Sequence, residues 1–272
     1  TTSITAGSGN NITLDNSSND FTGAVTIVSG NDVSLRDTNA MVLGASTVSG
    51  DATLVTNGDL TQTGALDVTG TTTITGGSGN VVLTNSGNDF QSAVSSTAGA
   101  AAISITDTNA LTVGSLEAFT GDLNLTAGGD LTLSGNIVKS TGTDATATFR
   151  ADDAIIQNSN VQVTSSSNKL NTVYWSDNDS DGGYIYLDTA TVITSNGGHV
   201  WMGGGDGSTT WNGLTVGDDY ALGNGTMSSG VLLDQVTITT GGGNMAVYGK
   251  SRAGAAVGGE AGGVNSDGIR LG

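Results

Sequence analysis

The densest run of candidate chemistry in the sequence is Asp177-Asn178-Asp179-Ser180-Asp181-Gly182, with Asp188 at the twelfth position of the stretch. Carboxylates at positions one, three, five and twelve, with glycine at six, reproduce the ligand spacing of a calcium loop. A hard cation needs several oxygens converging on one point, and alternate residues of a tight turn can deliver them. The flanks read as strands rather than helices, and an aspartate at position twelve reaches less far than a glutamate, so an EF-hand is excluded. Two readings stand for Asp177, Asp179, Asp181 and Asp188: a calcium site, or a solvated acidic turn, with the turn favoured.

His199 is the single histidine and the chain has no cysteine. Zinc sites of the usual kind therefore cannot assemble, and a Ser-His-Asp system would have to use this one base. A surface histidine beside Trp201 is the simpler reading. Trp175, Trp201 and Trp211 offer flat apolar faces with a polar edge, which suits contact with a glycan or packing of loops onto the body of the protein. Exposure of the three rings decides between the two. Asp218-Asp219, Gly198-His199 and Asn265-Ser266-Asp267-Gly268-Ile269 resemble fragments of polygalacturonases. Their order along the chain is not that family's order, and Lys250 and Arg252 are the only close basic pair. The sequence is therefore read as non-enzymatic, with a polysaccharide-binding or polysaccharide-cleaving protein as the alternative.

The elements that must carry these residues are strands. The 272 residues include 44 glycines and no proline. Proline cannot donate to a β-ladder, so its absence suits uninterrupted pairing. Threonine, valine, asparagine, aspartate and glycine crowd every window, and strand and turn formers dominate. Hydrophobic residues make up 36% and recur at regular positions, which argues against disorder. The net charge of −18 repels phosphate backbones and anionic membrane surfaces, so no nucleic acid is expected as a partner. No apolar run approaches the roughly 20 residues needed to cross a bilayer, so no membrane insertion is expected. Calcium is the one cofactor the composition invites.

The segment from Gly7-Ser8-Gly9-Asn10 returns at Gly77-Ser78-Gly79-Asn80, Asn19-Asp20-Phe21 at Asn88-Asp89-Phe90, and Asp37-Thr38-Asn39-Ala40 at Asp107-Thr108-Asn109-Ala110. Two copies of a unit of about 70 residues thus fill the first half. Inside each unit lie triplets of apolar, polar, apolar type, such as Val33-Ser34-Leu35, Leu111-Thr112-Val113 and Leu123-Asn124-Leu125. Such alternation turns two side chains inward and one outward, and equivalent triplets recur every 19 or 20 residues. Many are preceded by glycine and a polar residue, as at Gly50-Asp51, Gly58-Asp59, Gly121-Asp122, Gly129-Asp130 and Gly243-Asn244. Glycine, asparagine and aspartate tolerate left-handed corners, and that is the reason expected for them here.

The pattern predicts an all-β, right-handed parallel β-helix of about 19–23 residues per coil and roughly a dozen coils. Each 70-residue unit would be three coils with one enlarged loop near Asn16 to Thr22, or four tighter ones. Residues 1–149 hold the two repeats; residues 150–272 continue the same helix with longer loops rich in aromatics and glycine, without a linker. The end at Ile269-Arg270-Leu271-Gly272 falls in mid-pattern, and the chain reads as a segment of something longer.

The Gly-Asp-Leu-x-Leu-x-x-x-Gly-x-Leu rhythm at Gly121 to Leu131, and the segment from Val173-Tyr174-Trp175-Ser176-Asp177 to Gly198, resemble the filamentous-haemagglutinin-like exoproteins of two-partner secretion and related giant β-solenoid adhesins of Gram-negative bacteria. That resemblance implies a β-helix shaft, export through an outer-membrane pore and a secreted or cell-surface location. It also implies adhesion, or matrix or fibre formation. The expected partners are a host or neighbouring cell surface, a glycan or matrix component, or copies of the chain stacked end to end as a filament.

Overall fold

The computed structural model describes residues 1–252 and 269–271, and among these every regular element is a strand. The alternating segments fold as their pattern requires. In Val33–Asp37 and Ile103–Asp107 the first, third and fifth side chains are buried and those between are half-exposed. Neither segment can satisfy its backbone alone, and each takes its partners from the coil before and the coil after.

Two parallel sheets result. The front sheet runs from Thr2–Thr5 through Val25–Ser29, Met41–Leu43, Leu60–Gln62, Val81–Leu83, Ile103–Asp107, Leu123–Ala127, Ala145–Ala151 and Leu170–Ser176 to Val200–Trp211 and Met245–Val247. The back sheet runs from Ile12–Leu14 through Val33–Asp37, Ala52–Thr56, Thr72–Thr75, Val94–Ala98, Leu111–Phe119, Leu131–Leu133, Ile155–Gln157 and Ile185–Leu187 to Val231–Leu233 and Ile269–Leu271. The molecule is a parallel β-solenoid with one continuous aliphatic core between the sheets. The strand Ala145–Ala151 crosses the boundary between the two halves of the sequence without a break.

Between Val25 and Val200 the front sheet makes about eight coils of about 23 residues. The register offset is 18 residues from Val25 to Leu43, 24 from Leu123 to Ala147 and 28 from Thr172 to Val200. The next step, Val200 to Met245, takes 45 residues. Coils of about 19–23 residues had implied roughly a dozen; there are fewer because the later coils are longer, the step from Val200 to Met245 by a hairpin. Most coils also carry a short third strand.

That third strand changes sides. In the first half it lies where the chain passes from front to back, as Ser46–Val48, Leu66–Val68 and Asp89–Phe90. From Leu116–Phe119 onward it lies where the chain passes from back to front, continuing through Ile137–Lys139, Gln162–Ser165, Val192–Thr194 and Thr237–Thr239. The exchange takes place where two short corners follow one another, between Val94–Ala98, Ile103–Asp107 and Leu111–Phe119.

The same exchange explains the 70-residue repeat, which is neither three coils nor four. Ile12 reaches Val33, Ala52 and Thr72 in three back-sheet steps, and its sequence counterpart Val81 lies half a coil further on, in the front sheet. The second copy is therefore placed on the opposite sheet. Its corner bonds are nonetheless reproduced. Asp37 Oδ2 accepts from the Phe21 N–H at 3.0 Å and Asp107 Oδ2 from the Phe90 N–H at 2.8 Å. Asn39 Nδ2 donates to Asp20 and Asn109 Nδ2 to Asp89, both at 3.2 Å.

The Gly-Asp pairs mark corners as expected, but for a different reason. Gly50, Gly58, Gly121, Gly129 and Gly243 do not have positive φ. Their need is for space: a Cβ on Gly121 would stand 2.9 Å from the Ala101 carbonyl oxygen of the coil beneath, and one on Gly243 would overlap the Gly198 carbonyl. The aspartate that follows faces the other way along the axis. Asp51, Asp59, Asp122 and Asp130 accept from the backbone N–H of Thr71, Asn80, Thr146 and Ala154 in the next coil, at 2.7, 2.8, 2.8 and 3.0 Å. Glycine admits the coil below, and aspartate ties down the coil above.

Candidate functional site

The acidic loop begins at Asp177, which follows the front-sheet strand Leu170–Ser176 with φ 53. Its buried Oδ1 accepts from the Gly182 N–H at 2.7 Å, and Asp179 Oδ1 accepts from the Asp181 N–H at 3.3 Å, so the turn is tied by its own carboxylates. Asn178 bridges the coils, accepting from Arg150 Nε at 2.8 Å and donating to Asp152 at 2.7 Å. Asp188 is engaged elsewhere. It accepts from the Ser159 hydroxyl at 2.5 Å, the Tyr186 hydroxyl at 2.7 Å and the Thr189 N–H at 2.7 Å.

The electrostatics divide the set in the same way. Burial, with the nearby carboxylates of Asp179, Asp181 and Asp219, pushes Asp177 up to about 6, although the Gly182 N–H opposes the shift. The hydrogen bonds from Ser159, Tyr186 and Thr189 hold Asp188 down at about 2. Among the described residues no three acidic or histidine side chains come together in a metal-holding group. The structure thus keeps Asp177, Asp179 and Asp181 in one turn and gives Asp188 a separate set of partners.

His199 serves the architecture. Asn171 Oδ1 accepts from the His199 N–H at 2.9 Å, and His199 Nδ1 in turn accepts from the Asn244 N–H at 2.9 Å. The imidazole therefore occupies the place in the corner column that an asparagine or aspartate holds in other coils. The resembling fragment at Asn265-Ser266-Asp267-Gly268 lies outside the described residues.

The tryptophans lead to a second cluster. Val173, Trp175 and Trp201 point outward from the front sheet, where the three coils beneath Val173 carry Thr148, Asn124 and Ser104, and they are nevertheless buried. What covers them is a hairpin. The strand Val200–Trp211 leaves the coil, turns at Asn212 (φ 47) and Gly213 (φ 81), and returns antiparallel as Leu214–Asp219, bringing Leu214 and Val216 onto the tryptophans. Positive φ at both central residues of a two-residue turn is what an Asn-Gly hairpin demands. Trp175 donates to the Gly205 carbonyl at 2.6 Å and carries the Arg150 guanidinium 4.5 Å above its ring. Trp175 and Trp201 thus hold the flap to the shaft, and Trp211 is half-buried, edge-on to His199 at 5.7 Å.

Beside the flap lies a cavity of about 230 Å³, lined among others by Trp201, Trp211, Asp218, Asp219, Tyr220 and Tyr248. Tyr220 is 46% exposed and Tyr248 40%. From the sequence these two tyrosines count only among the aromatics of the second half, not among the candidate site residues. The signal that leads to them is Trp211-Asn212-Gly213-Leu214, a hairpin turn between strand-forming residues.

Fold and corner geometry together define a β-solenoid repeat protein. A family model described as repeats of unknown function (DUF5649) matches residues 1–28 and 30–97. The second stretch is close to one 70-residue unit, and it ends where the third strand changes sides. No curated protein and no solved structure matches the chain.

Proposed function

We propose that the chain is a segment of rigid shaft in a secreted bacterial surface protein of the filamentous-haemagglutinin-like kind, holding a binding element away from the cell or building matrix. The observation that carries this reading is the direction of the backbone hydrogen bonds. In both sheets they run from coil to coil, along the axis of the rod, and the corner aspartates add bonds in the same direction. A pull along that axis loads many bonds per coil at once. The eight regular coils span about 40 Å at ~4.8 Å per layer. On the outer faces of the first half Val28 and Val82 are the exposed large apolar side chains, which leaves little there to stick to a neighbouring shaft.

Force spectroscopy on the chain tethered through its two ends tests the proposal. A shaft should resist to forces well above those that open a helical bundle of similar length, and should then release contour length in multiples of about one coil. Rupture at the force of the helical control would remove the load-bearing reading. Electron microscopy of the same sample separates a single short rod from end-to-end filaments.

A further inference from the structure

The geometry points to the cavity beside the Leu214–Asp219 flap as a binding site for a small organic cation of the alkylammonium or quaternary ammonium type. It does not depend on the shaft reading. Three aromatic rings meet around Tyr248, with centroids 6.1 Å away for Trp201 and 6.2 Å for Tyr220. Tyr220 and Tyr248 are the exposed rings of this group, with Trp201 buried beneath them, and an exposed aromatic face attracts a cation held within ~6 Å of its centroid. Asp218 and Asp219 bring two carboxylates to the same lining, and no lysine or arginine lines it. The one guanidinium found over an aromatic ring among the described residues is Arg150, on Trp175.

Charge and shape select the ligand class. Two carboxylates in a chain of net charge −18 repel anions, uronic and sialic acids included. A pyranose needs a flat platform, whereas the exposed rings of Tyr220 and Tyr248 are inclined at 73° and share no plane. Faces set at angles around a point suit a compact positive group. The volume of about 230 Å³ falls below the roughly 300–1,000 Å³ of sites for drug-sized ligands, which again favours a small head group.

Calorimetric titration of the intact chain with choline, and with its neutral isostere 3,3-dimethylbutan-1-ol, isolates the charge. The expected result is saturable choline binding, with the neutral alcohol about tenfold weaker or more. Tyr220→Leu, at an exposed position where folding is not at stake, and Asp218→Asn should each weaken choline while the melting temperature stays unchanged. Equal affinity for the alcohol would reduce the site to an apolar hollow. Preference for a neutral disaccharide such as maltose, or no saturable choline binding, would overturn the proposal.

Discussion

Asp177 and Asp188 belong to one acidic stretch, yet their environments pull their proton affinities apart. Asp177 has a folded-state pKa of about 6 against an ordinary 3.8, because its carboxyl is buried beside other carboxylates. Its protonated form therefore supports the fold. That contribution is complete below pH ~4 and is lost as the pH rises through 6. Asp188 runs the other way: held at about 2, its ionised form supports the fold above the ordinary carboxylate range and stops doing so as the pH falls through 2. Asp177→Asn keeps an oxygen for the Gly182 N–H and suits the left-handed backbone at φ 53. The variant should melt higher than the parent at pH 7.5 and at the same temperature as the parent near pH 3.5, where both side chains are neutral. An equal gain at both pH values would assign the effect to the backbone instead of the charge. The calcium spacing was legible in the sequence; that Tyr186 and Ser159 would claim its last member was not, because their approach depends on which strand stacks on which.

At the scale of the element, the Gly-Asp corners were visible as spacing, while their cause needed the neighbouring coils. Left-handed φ and close approach both select glycine, and a lone sequence cannot separate them. The half-coil phase of the repeat was hidden for a related reason: an offset of 70 residues says nothing about which sheet the second copy joins. Bulky outward residues such as Val173 and Trp175 become intelligible only once Leu214 and Val216 are seen lying on them. Within the core, sequence alternation predicts aliphatic filling, but Tyr174 and Gln157 form a buried polar pair, the tyrosine hydroxyl donating to Oε1 at 2.8 Å and Gln157 Nε2 donating to the Val161 carbonyl at 2.9 Å. Tyr174→Phe preserves the ring contact with Phe149, at 4.9 Å, and leaves Gln157 Oε1 without its donor. The expected loss is about 1–3 kcal/mol of unfolding free energy, measured by denaturant titration. Adding Gln157→Leu, which removes the stranded acceptor, should recover part of it.

Across the whole molecule, stacking sets some carboxylates one above another, as at Asp32 and Asp51 of successive coils and at Asp67 and Asp89, which pair in register, about 4.8 Å apart along the axis. At that distance two like charges in water repel by about 0.9 kcal/mol. A hydrogen bond from a backbone N–H to a charged acceptor contributes about 1.5–3 kcal/mol, so a corner aspartate stabilises on balance. The repulsion nevertheless accumulates along the rod. It is visible at Asp153, whose pKa is raised by burial first and then by the carboxylates of Asp130, Asp179, Asp181 and Asp152. With 25 acidic against seven basic residues, the chain has few cations to offset it. Salt acts on the two terms unequally, because short partly buried hydrogen bonds are screened little and the exposed like charges are screened strongly. Raising NaCl from about 10 mM to 150 mM shortens the Debye length from roughly 30 Å to 8 Å. The thermal midpoint at pH 7 should rise over that interval. The rise should shrink near pH 4, where many surface carboxylates are half protonated. A midpoint that ignores salt at pH 7, or a rise of the same size at pH 4, would show that the corner carboxylates do not act on one another along the axis.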